Sequence, residues 1–229
     1  MHKPARPEEL PAPWDLWARA AAMAALEAAI PFDGYPTFAL RGAEVTHDDG
    51  GGNTWTLLLT DDRAVLYGCD HEMSHTRDAG LDLLSGAPSW LPLDDLADLQ
   101  KANELGFVYW HDTAWHRVPY PEDLKDDGVA ATVGRAADLS TFIHSAADVL
   151  LGYKLGETLD EDAEDFDALE EALDEAIHQA QSGALEHLIR AAHARRLSTD
   201  DFTWLAAFPL DLAAALHTAQ TAGLTSPPA

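Results

Sequence analysis

The chain has 229 residues and 47% hydrophobic content, which is ordinary for a folded protein and long enough for one large domain or two small ones. It has 40 aspartates and glutamates against 14 lysines and arginines, a formal net charge of −26. A field of this sign repels phosphate groups, so we expect no nucleic acid and no membrane surface as partner and favour basic proteins or divalent cations. The alternative is that the carboxylates only maintain solubility.

Cysteine content and hydropathy limit the class of protein further. Cys69 is the only cysteine in the sequence, which excludes an intramolecular disulfide and a thiolate-rich metal site. No stretch reaches the roughly 18 to 20 apolar residues that span a bilayer, and residues 1–10 lack the apolar core of a signal peptide. We therefore expect a cytoplasmic location.

The first half of the chain predicts helices and short strands. Trp14, Trp17 and Ala21 recur at helical spacing behind Pro13, and Pro31 ends that helix. Strand-type composition and polar turns then alternate with one further helix. The remaining predicted elements are a strand over residues 37–46, a hairpin of 54–60 with 64–69, a helix over 93–104, and a hairpin of 107–110 with 115–118.

The second half predicts one helix after another. Leu139, Phe142 and Ile143 begin an apolar stripe behind the N-cap candidate Asp138. An acidic run over residues 160–167 has the charge favoured in the first turns of the next helix. The later predicted elements are a helix ending at Ser182 and Gly183, a helix carrying Leu185 to Ala192, a short helix capped by Ser198 or Thr199, and a last helix with Pro209 in its first turn.

These elements together define the expected fold class. It is α+β, with a small antiparallel sheet and an N-terminal helix followed by an all-helical C-terminal half, because short strands joined by tight turns cannot supply parallel crossovers. We assign an α+β domain to residues 1–133 and a helical region to 134–229. The helical region is either a second domain or part of the same one.

One short segment concentrates reactive side chains. His71, Glu72 and His75 match the H-E-x-x-H pattern, in which a helix aims two imidazoles at one zinc ion and the glutamate acts as base on bound water. The segment follows a predicted strand, not the interior of a helix, and lacks a clear third ligand. We therefore assign no catalytic, cofactor or metal residue, and zinc held by His71 and His75 with Glu72 as base remains the alternative.

Aromatic and acidic residues nearby are the candidates for contacts with a partner. Trp110 and Trp115 belong to an aromatic cluster that either fills the core of the sheet or supplies interface anchors, since tryptophan is enriched at binding hot spots. Asp70 and Glu72 are the matching acidic candidates. Cys69 is interpreted as a buried apolar side chain, not as a nucleophile.

Part of the first half resembles a known group. Gly50 to Asn53, the strand pair that follows, and Gly68 with Asp70-His71-Glu72 are similar to a segment of uncharacterised bacterial α+β proteins. More loosely, a helix that leads through an aromatic and proline-containing loop into a sheet resembles the SUKH group of immunity proteins. The resemblance covers about thirty residues. It implies toxin neutralisation by binding and supplies no catalytic residue.

Three functions therefore remain open. The favoured one is a non-enzymatic interaction protein, of immunity type, that presents an acidic surface to a basic protein partner. The first alternative is a zinc-dependent hydrolase built on the H-E-x-x-H segment. The second is a small-molecule binding module with its pocket between the sheet and the helices.

Overall fold

The computed structural model describes residues 1–60, 62–160, 163 and 166–226. Within these residues the fold is α+β, as predicted, with an N-terminal helix, a six-stranded antiparallel sheet and a helical C-terminal half. No helix in the described part of the chain is long and apolar enough to cross a membrane. The strands are β1 (Phe38–Arg41), β2 (Glu44–Asp48), β3 (Thr54–Leu59), β4 (Ala64–Cys69), β5 (Phe107–His111) and β6 (Trp115–His116).

The helices include two segments with the wider π-helical winding. The α-helices are α1 (Pro13–Ala29), α2 (His75–Asp78), α3 (Leu93–Lys101), α4 (Val133–Ala137), α5 (Leu139–Ala146), α6 (Phe166–Gln179), α7 (Leu185–His193) and α8 (Leu212–Thr221). The π-helical segments are Ala147–Leu155 and Ala180–Ala184, and 3₁₀ turns cover Pro7–Glu9, Gly156–Thr158 and Thr199–Leu205.

The chain forms two compact units, each built from two stretches of sequence. Unit 1 contains Met1–Trp17 and Ala43–Ala137, and unit 2 contains Ala18–Gly42 and Asp138–Ala229. One boundary falls within α1, and another falls in the turn between β1 and β2.

The sheet follows chain order, β1-β2-β3-β4-β5-β6. In unit 1 the central strand β4 places Leu66 opposite Leu57 of β3 and Tyr109 of β5. The other face of β4 carries Val65, which packs with Leu96 of α3 in a buried cluster. Because both faces are covered, β4 is a nearly continuous apolar run without the alternation of a half-exposed strand.

One predicted strand is wrong. Residues 37–46 form two strands, β1 and β2, because the chain turns at Gly42, whose φ of 64° lies in the left-handed region that glycine adopts at low cost. The poor alternation of this stretch reflects the turn within it. The predicted hairpin of residues 54–60 and 64–69 is confirmed as β3 and β4.

Unit 2 is built from helices whose apolar faces pack together. The predicted N-cap is confirmed, since Asp138 accepts a hydrogen bond of 2.8 Å from the backbone N–H of Thr141. The predicted break at Gly183 is also confirmed, with φ of 141° between α6 and α7. The last helix begins later than predicted, because Asp211 caps it and Pro209 precedes the cap. Residues 161, 162, 164 and 165 of the predicted acidic run lie outside the described residues.

Candidate functional site

The turn after β4 is organised by Asp70. Its Oδ1 accepts the backbone N–H of Glu72 at 3.0 Å and of Met73 at 2.8 Å, and its own N–H donates to Ser74 Oγ at 2.9 Å. This is the local hydrogen bonding by which aspartate stabilises tight turns. Asp70 is buried. Its carboxylate therefore stabilises the backbone of the turn and is not accessible to a partner.

The same turn is fastened to the loop that follows residue 120. Ser74 Oγ donates to the carbonyl oxygen of Asp127 at 3.0 Å. Gly128 lies directly against it with φ of 90°, and a Cβ added there would stand 2.5 Å from Ser74 Oγ. Only glycine fits at this close approach. A second link to this loop is the hydrogen bond of 3.2 Å from the backbone N–H of His75 to the carbonyl oxygen of Asp126. Arg77 braces the turn against α2 through its hydrogen bond of 2.7 Å to the carbonyl oxygen of His71.

The H-E-x-x-H residues are divided between two elements. His71 and Glu72 lie in the turn with largely exposed side chains, and His71 Nε2 is 3.8 Å from Glu72 Oε1. His75 is the first residue of the four-residue helix α2. The two imidazoles are therefore not carried by successive turns of one helix, which the zinc-hydrolase pattern requires.

A metal centre would need further ligands beside His75. Its Nδ1 is buried and has no hydrogen-bond partner within the described residues. Among those residues, however, no group of three or more histidine, cysteine, aspartate or glutamate side chains is arranged to hold a metal ion. The described part of the chain therefore offers the zinc alternative no third ligand, and its proposed base, Glu72, is exposed to solvent.

Cys69 is buried at the end of β4, as predicted. Burial raises the pKa of its thiol, and this outweighs the opposing effects of Arg77 and of a hydrogen bond with Ser74. The thiol is thus kept protonated, which is the unreactive form.

The aromatic candidates serve mainly as core. Trp115 is buried, and its Nε1 donates to the carbonyl oxygen of Pro11 at 2.7 Å. Trp110 is half-buried against the cluster that contains Val65 and Leu96. Of the four predicted contact residues, Asp70 and Trp115 are therefore unavailable to a partner because their side chains are buried, and Glu72 alone is fully at the surface.

The large aromatic side chains that are exposed lie elsewhere, in unit 2. Tyr35 is 95% exposed and Tyr153 is 55% exposed, and the Tyr153 ring meets that of Phe32 edge-on at 5.8 Å. Sequence reasoning missed both tyrosines. The sequence signal that could have indicated Tyr35 is the loop Pro31 to Pro36, in which two aromatic residues lie between prolines.

The outer face of α6 is a strongly acidic surface. Its inner face packs through Leu173 and Ala176 against the π-helical segment Ala147–Leu155. The outer face carries five exposed carboxylates and no lysine or arginine. They are Asp167, Glu170, Glu171, Asp174 and Glu175.

A cavity of about 460 Å³ lies in unit 2 beside α1, β1 and α8. Most of its wall is apolar, including Ile30, Phe32 and Phe38, and His217 and Thr218 supply polar groups from α8. Glu27 also lines the cavity, but its carboxylate is already engaged by Lys154 and by backbone N–H groups. The cavity combines an apolar wall with few polar groups, the usual make-up of a small-molecule site.

Comparison with known proteins gives no relative. The chain matches no protein-family model. It likewise matches no curated protein and no solved structure. The function therefore has to be inferred from the chemistry of these surfaces.

Proposed function

We propose that this is a non-enzymatic binding protein whose acidic helix α6 contacts a basic protein partner. The observation that carries the proposal is the outer face of α6, where five carboxylates are exposed on one helix. The surrounding sequence strengthens the field, since residues 155–189 contain twelve aspartates and glutamates and no lysine or arginine. Such a surface accelerates encounter with a positively charged protein and disfavours partners of like charge.

The carboxylates of α6 beyond its first turn are not explained by helix formation. Glu171 and Glu175 are four residues apart on the helix, as are Glu170 and Asp174, and like charges at this spacing destabilise a helix. A surface whose charges oppose helix formation is better explained by binding than by stability.

The class of partner follows from the sign of the charge and from the resemblance to the SUKH group. Phosphate-rich nucleic acid and anionic lipid are repelled, whereas basic proteins and divalent cations are attracted, and of these two we propose a basic protein. The resemblance supports a toxin as the basic protein and neutralisation by binding as the role. A cytoplasmic location is part of this proposal.

The test compares two variants that lose the same charge at different places. The α6 variant is Glu171→Gln/Asp174→Asn/Glu175→Gln, which neutralises three exposed carboxylates without changing side-chain size. Its binding to a lysine-rich peptide and to a panel of small basic proteins is measured by titration. We expect affinity for the best binder to fall by about tenfold or more, equivalent to about 1.4 kcal/mol.

The matched control is the α3 variant, Asp94→Asn/Asp95→Asn/Asp98→Asn. These three carboxylates are also exposed, on one helix of unit 1. We expect the α3 variant to bind nearly as well as the unmodified protein. Equal losses for the two variants, or no binding to any basic protein, would contradict α6 as the contact surface.

A second candidate function is small-molecule binding, favoured by the cavity of unit 2. Its apolar wall and the polar groups of His217 and Thr218 suit a mostly apolar molecule with one or two hydrogen-bonding groups. Ligand-observed NMR with indole and with small aromatic alcohols tests this, with Ala28→Phe as a variant that fills the cavity. The control is Ala97→Phe, on the exposed face of α3. Binding abolished by Ala28→Phe alone supports the candidate, and equal or absent binding throughout removes it.

A further inference from the structure

The phenol of Tyr109 stands between two oxygen atoms in the interior of unit 1. Its oxygen is 2.8 Å from the carbonyl oxygen of Ala5 and 2.7 Å from Asp127 Oδ2. Tyr109, Ala5 and Asp127 are each 0% exposed. Both distances are those of hydrogen bonds that contain a proton.

The number of protons decides the state of Asp127. A phenol has one proton, and a backbone carbonyl can only accept. If Asp127 were ionised, the single proton of Tyr109 could occupy only one of its two short oxygen contacts. In the other contact two oxygen atoms would face each other with lone pairs and no proton between them. If Asp127 Oδ2 carries a proton, it donates to the Tyr109 oxygen, and Tyr109 donates to Ala5.

The other oxygen of the carboxyl group is compatible with the protonated form. Asp127 Oδ1 accepts the backbone N–H of Ala5 at 3.1 Å and that of Val129 at 3.3 Å. We infer that Asp127 is protonated in the folded protein at pH values where an exposed aspartate is ionised, and that this proton completes a latch, a set of hydrogen bonds that fastens the N-terminal segment, residues 1–10, to β5.

Among the residues that the structure describes, no lysine, arginine or histidine forms an ion pair with Asp127. Lys3, on the N-terminal segment, pairs with Asp126 at 3.2 Å. Arg117 lies over the ring of Tyr120 at 3.7 Å and donates to the carbonyl oxygens of Val118 and Ala5. Burial raises the pKa of Asp127 and outweighs the hydrogen bonds of Tyr109 and the backbone, and the neighbouring Asp126 acts in the same direction as burial.

The phenols of Tyr109 and Tyr120 do not titrate in the same pH range as Asp127. Burial raises the pKa of Tyr109, and the charge of Asp127 adds to that effect. The pKa of Tyr120 is raised by the same two causes in the same order. Both side chains therefore keep their protons over the range in which Asp127 titrates.

The sign of the pH dependence follows from linkage. An unfolded aspartate has a pKa of about 3.9, and the folded value is raised. The stabilisation from protonated Asp127 is fully present below the unfolded value and is lost as the pH rises through the folded value. A pH above the folded pKa of Asp127 should therefore loosen residues 1–10 from β5.

The first test needs no variant. The carboxyl carbon of Asp127, assigned through its own β-protons in ¹³C-labelled protein, is followed by NMR as a function of pH. We expect a midpoint well above about 3.9. A carboxylate that is already ionised at pH 5 would overturn the inference.

The second test measures the latch itself by hydrogen exchange of the Ala5 amide. Above the folded pKa its protection factor should fall by up to about tenfold per pH unit, because opening is then coupled to loss of one proton. Asp127→Asn should be insensitive to pH, since an amide nitrogen at the Oδ2 position still donates to Tyr109. Asp126→Asn is the control that removes the Lys3 pair. It should keep the pH dependence, with the midpoint at lower pH because Asp126 helps to raise the pKa of Asp127. Protection of Ala5 that is equally independent of pH in unmodified protein would contradict the latch.

Discussion

Lys154 and Glu27 form a buried ion pair in unit 2, with side chains only 3% and 7% exposed. Lys154 Nζ also donates to the carbonyl oxygen of Tyr35 at 2.9 Å. Glu27 accepts the backbone N–H groups of Thr37 at 2.8 Å and of Phe38 at 2.9 Å. The pair therefore holds the loop between α1 and β1 in place.

Removing only the cation should be costly. In Lys154→Met the carboxylate of Glu27 stays buried without its counter-ion, and we expect a loss of about 3 to 5 kcal/mol in the free energy of unfolding. The double variant Lys154→Met/Glu27→Gln should lose less, because no buried charge remains. Urea denaturation measures both, with the exposed Lys101→Met expected within about 0.5 kcal/mol of the unmodified protein. A cost for Lys154→Met as small as that of the control would show that the pair is solvated.

His47 should make the protein sensitive to acid. It stacks on Trp55 with ring centroids 5.6 Å apart, and burial lowers its pKa to about 4 even though Asp49 and Asp48 act to raise it. Since the unfolded value is about 6.5, the stabilisation from neutral His47 is present above pH 6.5 and is lost as the pH falls through 4. The loss is at most about 3 kcal/mol.

The variant His47→Gln tests this assignment. The fall in unfolding free energy between pH 7 and pH 4.5 should become smaller than in the unmodified protein. His178→Gln, at an exposed position of α6, should leave that fall unchanged. If the two variants behave alike, another group is responsible for the acid sensitivity.

The acidic face of α6 should measurably lower the free energy of unfolding. Neutralising Glu171, Asp174 and Glu175 removes like-charge pairs at helical spacing, so we expect the α6 variant to gain about 1 kcal/mol. The α3 variant should change in the opposite direction, because Asp94 and Asp95 lie in the first turn, where the helix dipole favours a carboxylate. Thermal unfolding at low salt compares the two, and a loss of stability in the α6 variant would mean that its carboxylates have a structural role.

Removal of metal should not affect the fold. His71 and His75 belong to a turn and to a separate short helix, and no third ligand completes their coordination within the described residues. We expect the melting temperature to be the same with and without a chelator, and His71→Ala to be nearly neutral. Stoichiometric zinc in purified protein, with a fall in melting temperature on chelation, would restore the hydrolase alternative.

The elements of the fold that are determined by neighbouring residues could be predicted from the sequence. The hairpin of β3 and β4 follows from two apolar runs across a polar turn, and Asp138 is a recognisable N-cap. The turn at Gly42 was not predicted, because the two short strands that it separates have the same strand-type composition. The π-helical winding of Ala147–Leu155 depends on packing and has no distinct sequence signal.

Burial of polar and aromatic side chains was harder to predict. Glu27 interrupts an alanine-rich run, and its partner Lys154 is 127 residues away, a distance at which periodicity carries no information. Tryptophan and aspartate are residue types that interfaces contain, yet the side chains of Trp115 and Asp70 are buried and form hydrogen bonds with backbone groups. Residue type shows what a side chain can do, but tertiary packing decides whether it is accessible.

The most direct measurement is the association rate constant of the basic protein that binds best, followed by stopped-flow mixing as ionic strength is raised. For the unmodified protein and the α3 variant we predict a fast rate at low salt that falls steeply as screening increases. The α6 variant should start slower and respond less to salt. Identical rates and salt slopes for the α3 and α6 variants, or a rate independent of salt, would contradict an acidic docking surface on α6.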